Sequence, residues 1–158
     1  MKQIKLTQNQ IAIVDDEDFN ELSRFKWYAL RGYSTFYALR YYKINEKWLA
    51  MGMHRQIMNA QKGQQVDHKN RNGLDNRRCN LRFCDFSQNQ QNKKPQRGGT
   101  SKLKGVMWCK AKNKWRSMIQ LNGEKYHLGR FNTEIEAAKV YDAKAKELFG
   151  EFAGTNFE

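Results

Sequence analysis

No apolar run in this sequence approaches the roughly 20 residues that a membrane-spanning helix needs. The longest, Ile11-Ala12-Ile13-Val14 and Leu49-Ala50-Met51, stop far short, and the first residues carry neither a secretory apolar core nor a cleavage pattern. The expectation is no membrane and no export. Cysteine is scarce: Cys79, Cys84 and Cys109 form no Cys-x-x-Cys pair and have no histidine at zinc spacing. That argues against a disulfide framework and a structural zinc, and for a reducing cytoplasm. Acidic residues number 16 against 29 Lys plus Arg, giving a net charge of +13. With 39% apolar and 13% aromatic residues the chain is too hydrophobic for a disordered tail. A folded protein that seeks a polyanion is expected.

A chain of 158 residues makes one ordinary domain or two small ones, each burying only about 60% of its unfolded surface. The only proline, Pro95, lies in Asn92-Lys93-Lys94-Pro95-Gln96-Arg97-Gly98-Gly99-Thr100, where it ends a preceding helix and the glycines loosen the backbone. The expected division is a first domain over 1–92, a basic linker over 93–101 and a second domain over 102–158. Between Lys93 and Arg130 eleven basic residues face Glu124 alone, interleaved with aromatics and aliphatics. This reads as a folded basic surface more than as a solvated tail.

Gln3 to Leu6 and Ile11 to Val14 read as short strands, and Asp15 to Phe25 as a helix with Phe19 and Leu22 on one face. Trp27 to Leu30, Phe36 to Tyr42 and Trp48 to Met53 are aromatic strand segments, turned at Arg31-Gly32 and Asn45-Glu46, with a short helix expected over His54 to Ala60. Further on, Val66 and Leu81 to Cys84 read as two strands around a loop crowded with Asn, Asp, Gly and Arg. Ser87 with Gln90 reads as a capping box opening a helix that holds Asn89.

Asp67 and Asn89 offer oxygen atoms of the kind that Mg²⁺ or Mn²⁺ prefers. His68 beside them has the ordinary pKa to accept a proton near neutrality. Arg71, Arg77, Arg78 and Arg82 are candidates to grip phosphates. Taken singly, these residues equally describe loop caps, a satisfied half-buried histidine and a surface helix residue.

Their spacing resembles the HNH endonuclease motif, particularly its phage and intron-encoded homing group. Asp67-His68 is followed by Asn80 twelve positions after the histidine, within Asn80-Leu81-Arg82, and by Asn89 nine further. The resemblance implies a ββα-metal fold in which Asp67 and Asn89 hold one divalent ion, Mg²⁺ or Mn²⁺. It makes His68 the general base and has Asn80 brace the loop that presents it. Met53-His54-Arg55 resembles the His-Arg that often precedes the motif, and a structural job is expected of His54. The zinc-binding cysteine pairs of some relatives are missing.

Downstream, Leu103 to Trp108, Lys114 to Leu121 and Glu124 to Gly129 read as strands. Asn122-Gly123 is the preferred type I′ hairpin loop, pairing Gln120 with Lys125, Ile119 with Tyr126 and Met118 with His127. That register predicts a core face of Trp115, Ile119, Tyr126 and Leu128 and an outer face of Lys114, Arg116, Met118, Gln120, Lys125 and His127. Thr133 with Glu136 caps a helix whose apolar stripe is Ala137, Ala138, Tyr141, Ala145 and Leu148, with Gly150 at its end. Lys104-Gly105-Val106, Tyr126 to Phe131, Glu136-Ala137-Ala138, Tyr141-Asp142 and Gly150 to Phe157 resemble the plant ethylene-response-factor (APETALA-type) DNA-binding domain. That implies DNA binding through the sheet, with Lys104, Lys114, Arg116, Gln120, Lys125 and His127 as contact candidates. Met107, Cys109, Met118, Gln120 and His127 stand where that family carries arginines and tryptophans, so its target sequence is not carried over.

The expected fold class is therefore α+β. A ββα-metal nuclease domain with flanking N-terminal strands precedes a three-stranded antiparallel sheet packed on one helix. The expected function is a metal-dependent homing-type DNA endonuclease acting on double-stranded DNA in a bacterial host cytoplasm, as monomer or homodimer. The alternative is a non-catalytic DNA-binding regulator.

Overall fold

Alternation builds the first strands: only Ile4 is buried in Lys2–Lys5 (β1), while Ala12 and Val14 are buried in Ile11–Val14 (β2), and the two strands pair antiparallel. The computed structural model describes residues 1–95 and 98–157. Gln96 and Arg97, inside the expected linker 93–101, lie outside the described residues. The chain is mixed α+β with small antiparallel sheets and divides into two compact units, Met1–Asn89 and Gln90–Glu158.

In the first unit, Asp16–Leu22 (α1) carries three acids in its first turn, which suits the positive end of the helix dipole, and buries Leu22. It ends before the expected Phe25 because Trp27 Nε1 donates to Leu22 O at 2.8 Å and takes up one of the last carbonyls. Tyr28–Arg31 (β3), Phe36–Ile44 (β4) and Lys47–Gly52 (β5) form a sheet in that order. Because β3 pairs only with Phe36 to Leu39, β4 and β5 run on from Arg40 as a two-stranded ribbon. Its turn is Asn45 and Glu46, both at positive φ.

Met53–Ile57 (α2) is shorter than the expected 54–60, since Asn59 takes a left-handed φ of 47° and Arg55 caps the carbonyls of Ala60 and Gln61. Gln65–His68 (β6) then pairs antiparallel with Leu81–Cys84 (β7), and Phe86–Asn92 (α3) follows. The capping box is Asp85 with Gln88, not Ser87 with Gln90: the Asp85 carboxylate accepts from Gln88 N at 2.8 Å and Gln88 Oε1 from Asp85 N at 2.9 Å. Aspartate caps as well as serine, and the earlier pair starts the helix, leaving Ser87 inside it. Ile4, Ala12, Val14, Leu22, Trp27, Ala38, Met53, Ile57, Val66 and Leu81 make the core.

In the second unit, Val106–Cys109 (β8), Lys114–Leu121 (β9) and Glu124–Phe131 (β10) form a sheet of order β10-β9-β8. Gln120, Ile119 and Met118 stand opposite Lys125, Tyr126 and His127 as expected. Strand β8 begins at Val106, not at the expected Leu103. Gly105 has φ +74°, and a Cβ there would lie 1.9 Å from the Tyr141 ring, so the chain must turn without a side chain. Glu134–Phe149 (α4) is capped by Thr133 and Glu136, bonded both ways, and buries Ala137, Ala138, Tyr141 and Ala145 against the sheet.

Strict alternation breaks in β10, and one expectation about the sheet faces fails. Ser117 lies opposite Gly129, making Leu128 an extra residue in β10. This bulge brings Arg130 opposite Arg116, onto the outer face that strict alternation would deny it. Tyr126, expected in the core, is 42% exposed on its edge strand and hydrogen-bonds Glu124. Among the described residues no helix is long and apolar enough to cross a membrane.

Candidate functional site

The loop between β6 and β7 is held from three sides. Strand β2 takes it up by backbone pairing, Ile13 N to Leu74 O and Asn76 N to Ile13 O, each 2.8 Å. The turn before β4 takes Gly73, whose N–H donates to Thr35 Oγ1 at 3.1 Å. A Cβ on Gly73 would lie 2.4 Å from Phe36 O, so only glycine allows this approach. The acidic start of α1 takes Arg78, whose N–H donates to Asp15 and whose guanidinium pairs with Asp18 at 2.6 Å. Inside the loop, Asn80 Oδ1 accepts from Asn70 N at 3.0 Å and Asn80 Nδ2 donates to Asp75 O at 2.7 Å. Buried Asp75 accepts from Asn70 and from both arms of Arg77, which holds its carboxyl below the usual range.

This scaffold presents His68, which is 4% exposed. Its Nε2 lies 3.2 Å from Oδ1 of fully buried Asn76. An amide oxygen there places the proton of the neutral ring on Nε2 and the lone pair on Nδ1. Burial lowers the His68 pKa, while the Asn76 bond and the charges of Asp67 and Asp75 pull it partly back. The ring packs against His54 at 5.0 Å and Tyr37 at 5.9 Å between centroids. The pKa of His54 is itself driven down to about 3, mainly by burial, and its Nδ1 is buried without a hydrogen-bond partner among the described residues.

Asp67 stands opposite Arg82 across the two strands, both buried, with Arg82 Nη2 2.8 Å and Nε 3.1 Å from Asp67 Oδ2. Asn89 Nδ2 donates to Gln65 Oε1 at 3.0 Å. Gln65 and Asp67, two apart on β6, share one face of the strand, so Asn89 packs over the face that carries Asp67. A carboxylate and a carboxamide oxygen are hard donors that suit Mg²⁺ or Mn²⁺ with water completing the shell. Among the described residues no group of three or more His, Cys, Asp or Glu is assembled as a metal cage.

Three of the four arginines named as phosphate candidates also pair with carboxylates of the chain: Arg77 with Asp75, Arg78 with Asp18 and Glu17, Arg82 with Asp67. Arg71 holds the loop's positive-φ turn, its N–H donating to His68 O. Sequence reasoning missed Asn76, whose contact depends on distant β2; the ring of His54, of which a structural job was expected, packs edge-on against that of His68.

In the second unit, Lys114, Gln120, Lys125 and His127 are exposed on the outer face of the sheet. Arg116, His127, Gly129 and Arg130 line a pocket there, and Arg116 Nη2 lies 2.6 Å from Met107 Sδ. Lys104 is elsewhere: half-buried before β8, its ammonium donates to Gln91 O. Arg130 was missed because the bulge, and not alternation, turns it outward.

The chain is similar to known proteins over parts and over most of its length. No family profile matches the chain. It is 48% identical over 62 residues to APETALA2-like protein 2 of Oryza sativa, covering 38% of this chain and 14% of that protein. It is 32% identical over 92 residues to Protein 3.8 of Escherichia phage T7, covering 58% and 75%. An uncharacterized HNH endonuclease of Acanthamoeba polyphaga mimivirus is 31% identical over 146 residues, covering 92% of this chain and 74% of the relative. The likeness runs through both units at that level: the chain belongs to the HNH endonucleases.

Proposed function

We propose that the chain is a metal-dependent endonuclease of homing type that hydrolyses phosphodiester bonds in duplex DNA. In this reading β6, β7 and α3 act as a ββα-metal centre and residues 102–158 as an APETALA-type domain reading DNA with its sheet. The single observation that supports it most is the buried imidazole of His68, oriented by Asn76 and kept neutral near pH 7 by burial. A lone pair so placed takes the proton of an attacking water, a role typically worth about 10²- to 10⁴-fold. Asn80 keeps the presenting loop closed. Asp67 and Asn89 would hold one Mg²⁺ or Mn²⁺, which when bound withdraws charge from the phosphate. The products carry 5′-phosphate and 3′-hydroxyl ends. The three free cysteines suit a bacterial host cytoplasm.

Plasmid incubated with the chain and Mg²⁺ or Mn²⁺ is expected to be nicked, and EDTA or His68→Ala to stop it. Cleavage surviving both would overturn the proposal. The second reading, a non-catalytic DNA-binding regulator, draws on the buried Arg82–Asp67 pair, in which a guanidinium already balances the carboxylate. Sequence-dependent gel shifts without nicking in any divalent metal would favour it.

A further inference from the structure

Tyr37 of β4 packs beside His68 without a part in the general-base step. Its ring centroid lies 5.9 Å from that of His68 and 6.2 Å from that of His54, and the two imidazoles are 5.0 Å apart, so three rings close a triangle. Two glycines leave room for it. A Cβ on Gly32, in the turn before β4, would lie 2.7 Å from Tyr37 Cε2, and one on Gly73, in the loop that presents His68, 2.6 Å from Tyr37 Cδ1. Neither glycine has a positive φ, so what excludes a side chain there is the space taken by the ring and its neighbouring backbone, not backbone conformation. Thr35 ties the two glycines together: its carbonyl accepts from Gly32 N at 2.8 Å and its hydroxyl from Gly73 N at 3.1 Å. The ring is held, but its hydroxyl is not. Tyr37 is half-buried, and among the described residues the phenol oxygen makes no hydrogen bond and stays open to solvent. Burial, and after it the charge of Asp67, raise its pKa above the ordinary value of 10. It therefore keeps its proton at neutral pH, able to donate and poor as a nucleophile.

We infer that Tyr37 is a further catalytic residue, its hydroxyl donating a hydrogen bond to a non-bridging oxygen of the phosphodiester that the water activated by His68 attacks. The inference rests on the nuclease reading of His68. No proton leaves Tyr37 and no covalent bond to it forms. The phosphate oxygen gains negative charge as the water adds, so a fixed donor binds the transition state more tightly than the ground state. Water also solvates a phosphate but must reorient to do so, whereas the triangle of rings and the two glycines hold this phenol in place beforehand. This gives a residue well before Asp67-His68 a share in the chemistry that the HNH series does not supply.

The test uses the full chain and single-turnover cutting of a duplex containing its mapped cut, with Tyr37→Phe against wild type. Phenylalanine keeps the ring and its packing. The rate should fall about 10- to 100-fold, at or just below the scale of one preorganised donor, with DNA affinity in gel shifts and melting temperature unchanged. A phosphorothioate at the cut then separates a lost hydrogen bond from a disturbed fold. Sulfur accepts a hydrogen bond poorly, so the diastereomer that turns sulfur toward Tyr37 should slow wild type more than Tyr37→Phe and narrow the gap between them. If Tyr37→Phe cuts at the wild-type rate, or is slower by one constant factor on the oxygen substrate and both diastereomers, the inference is overturned. DNA left covalently attached to wild type but not to Tyr37→Phe after SDS would make the phenol a nucleophile and overturn it as well. In each of these outcomes wild type still cuts, and the nuclease reading stands. If wild type itself cuts no DNA, that reading falls and the role of Tyr37 with it.

Discussion

Nε2 of His68 faces Oδ1 of Asn76 at 3.2 Å, and Asn76 is itself pinned by its backbone N–H to Ile13 O of β2. The N-terminal strands thereby set the tautomer of the imidazole. Asn76→Ala removes that acceptor and is expected to slow plasmid nicking about 10- to 100-fold, the usual scale for a residue that orients a working histidine, with DNA affinity unchanged. Asn76→Asp keeps an acceptor oxygen and stabilises the imidazolium, so it should retain more activity and move the acid limb of the rate profile upward. Single-turnover rates across pH, with gel shifts alongside, check both. Equal loss in the two variants would mean that Asn76 only fills space.

Asp67 and Arg82 form a buried pair, 9% and 8% exposed. Arg82→Met leaves the carboxylate without compensation and is expected to cost about 3–5 kcal/mol in urea denaturation. Asp67→Asn with Arg82→Met should recover most of it. If Asp67 is a ligand, a divalent cation replaces part of the lost charge, so Mg²⁺ should raise the melting temperature of Arg82→Met more than that of the wild-type chain. An equal rise in both would remove Asp67 from the metal site.

Much of this architecture is legible in the sequence where one local rule decides. Asn122-Gly123 fixes a hairpin turn and with it the pairing of Gln120, Ile119 and Met118, all found as expected. The Thr133–Glu136 box and the alanine stripe place α4 for the same reason. Legibility fails where geometry depends on distant chain. The β10 bulge follows from Gly129, whose φ of +133° has no signature in polar–apolar alternation. The partners of Arg78 and Arg82 are carboxylates 60 and 15 positions away, brought alongside only by folding.

Burial holds His54 unprotonated down to about pH 3, against 6.5 for an ordinary histidine. Between those values the unfolded chain binds a proton at residue 54 that the folded chain does not, so stability rises with pH there and falls on acidification. The slope is at most about 1.4 kcal/mol per pH unit from this group, and the depressed pKa of His68 acts in the same sense. Urea denaturation of the wild-type chain at pH 7 and pH 5 should show a loss of about 2 kcal/mol or more. His54→Gln, less stable at pH 7, should show a flatter profile. Parallel profiles would mean that residue 54 is hydrated and titrates freely.

Arg116 and Arg130 stand opposite each other on the outer face of the second sheet only because Leu128 is bulged. If that face lies on DNA, both arginines meet phosphates or base edges, and Lys104, bonded to Gln91 O, does not. Each phosphate contact contributes about −0.9 to the slope of log affinity against log salt. Arg116→Ala and Arg130→Ala should each lower its magnitude by about 1 and weaken binding to all sequences if they serve phosphates. Lys104→Ala should leave the slope unchanged. An Arg130→Ala chain whose slope matches wild type, beside a lowered slope for Lys104→Ala, would mean that DNA approaches the edge of the unit before β8 and not its sheet.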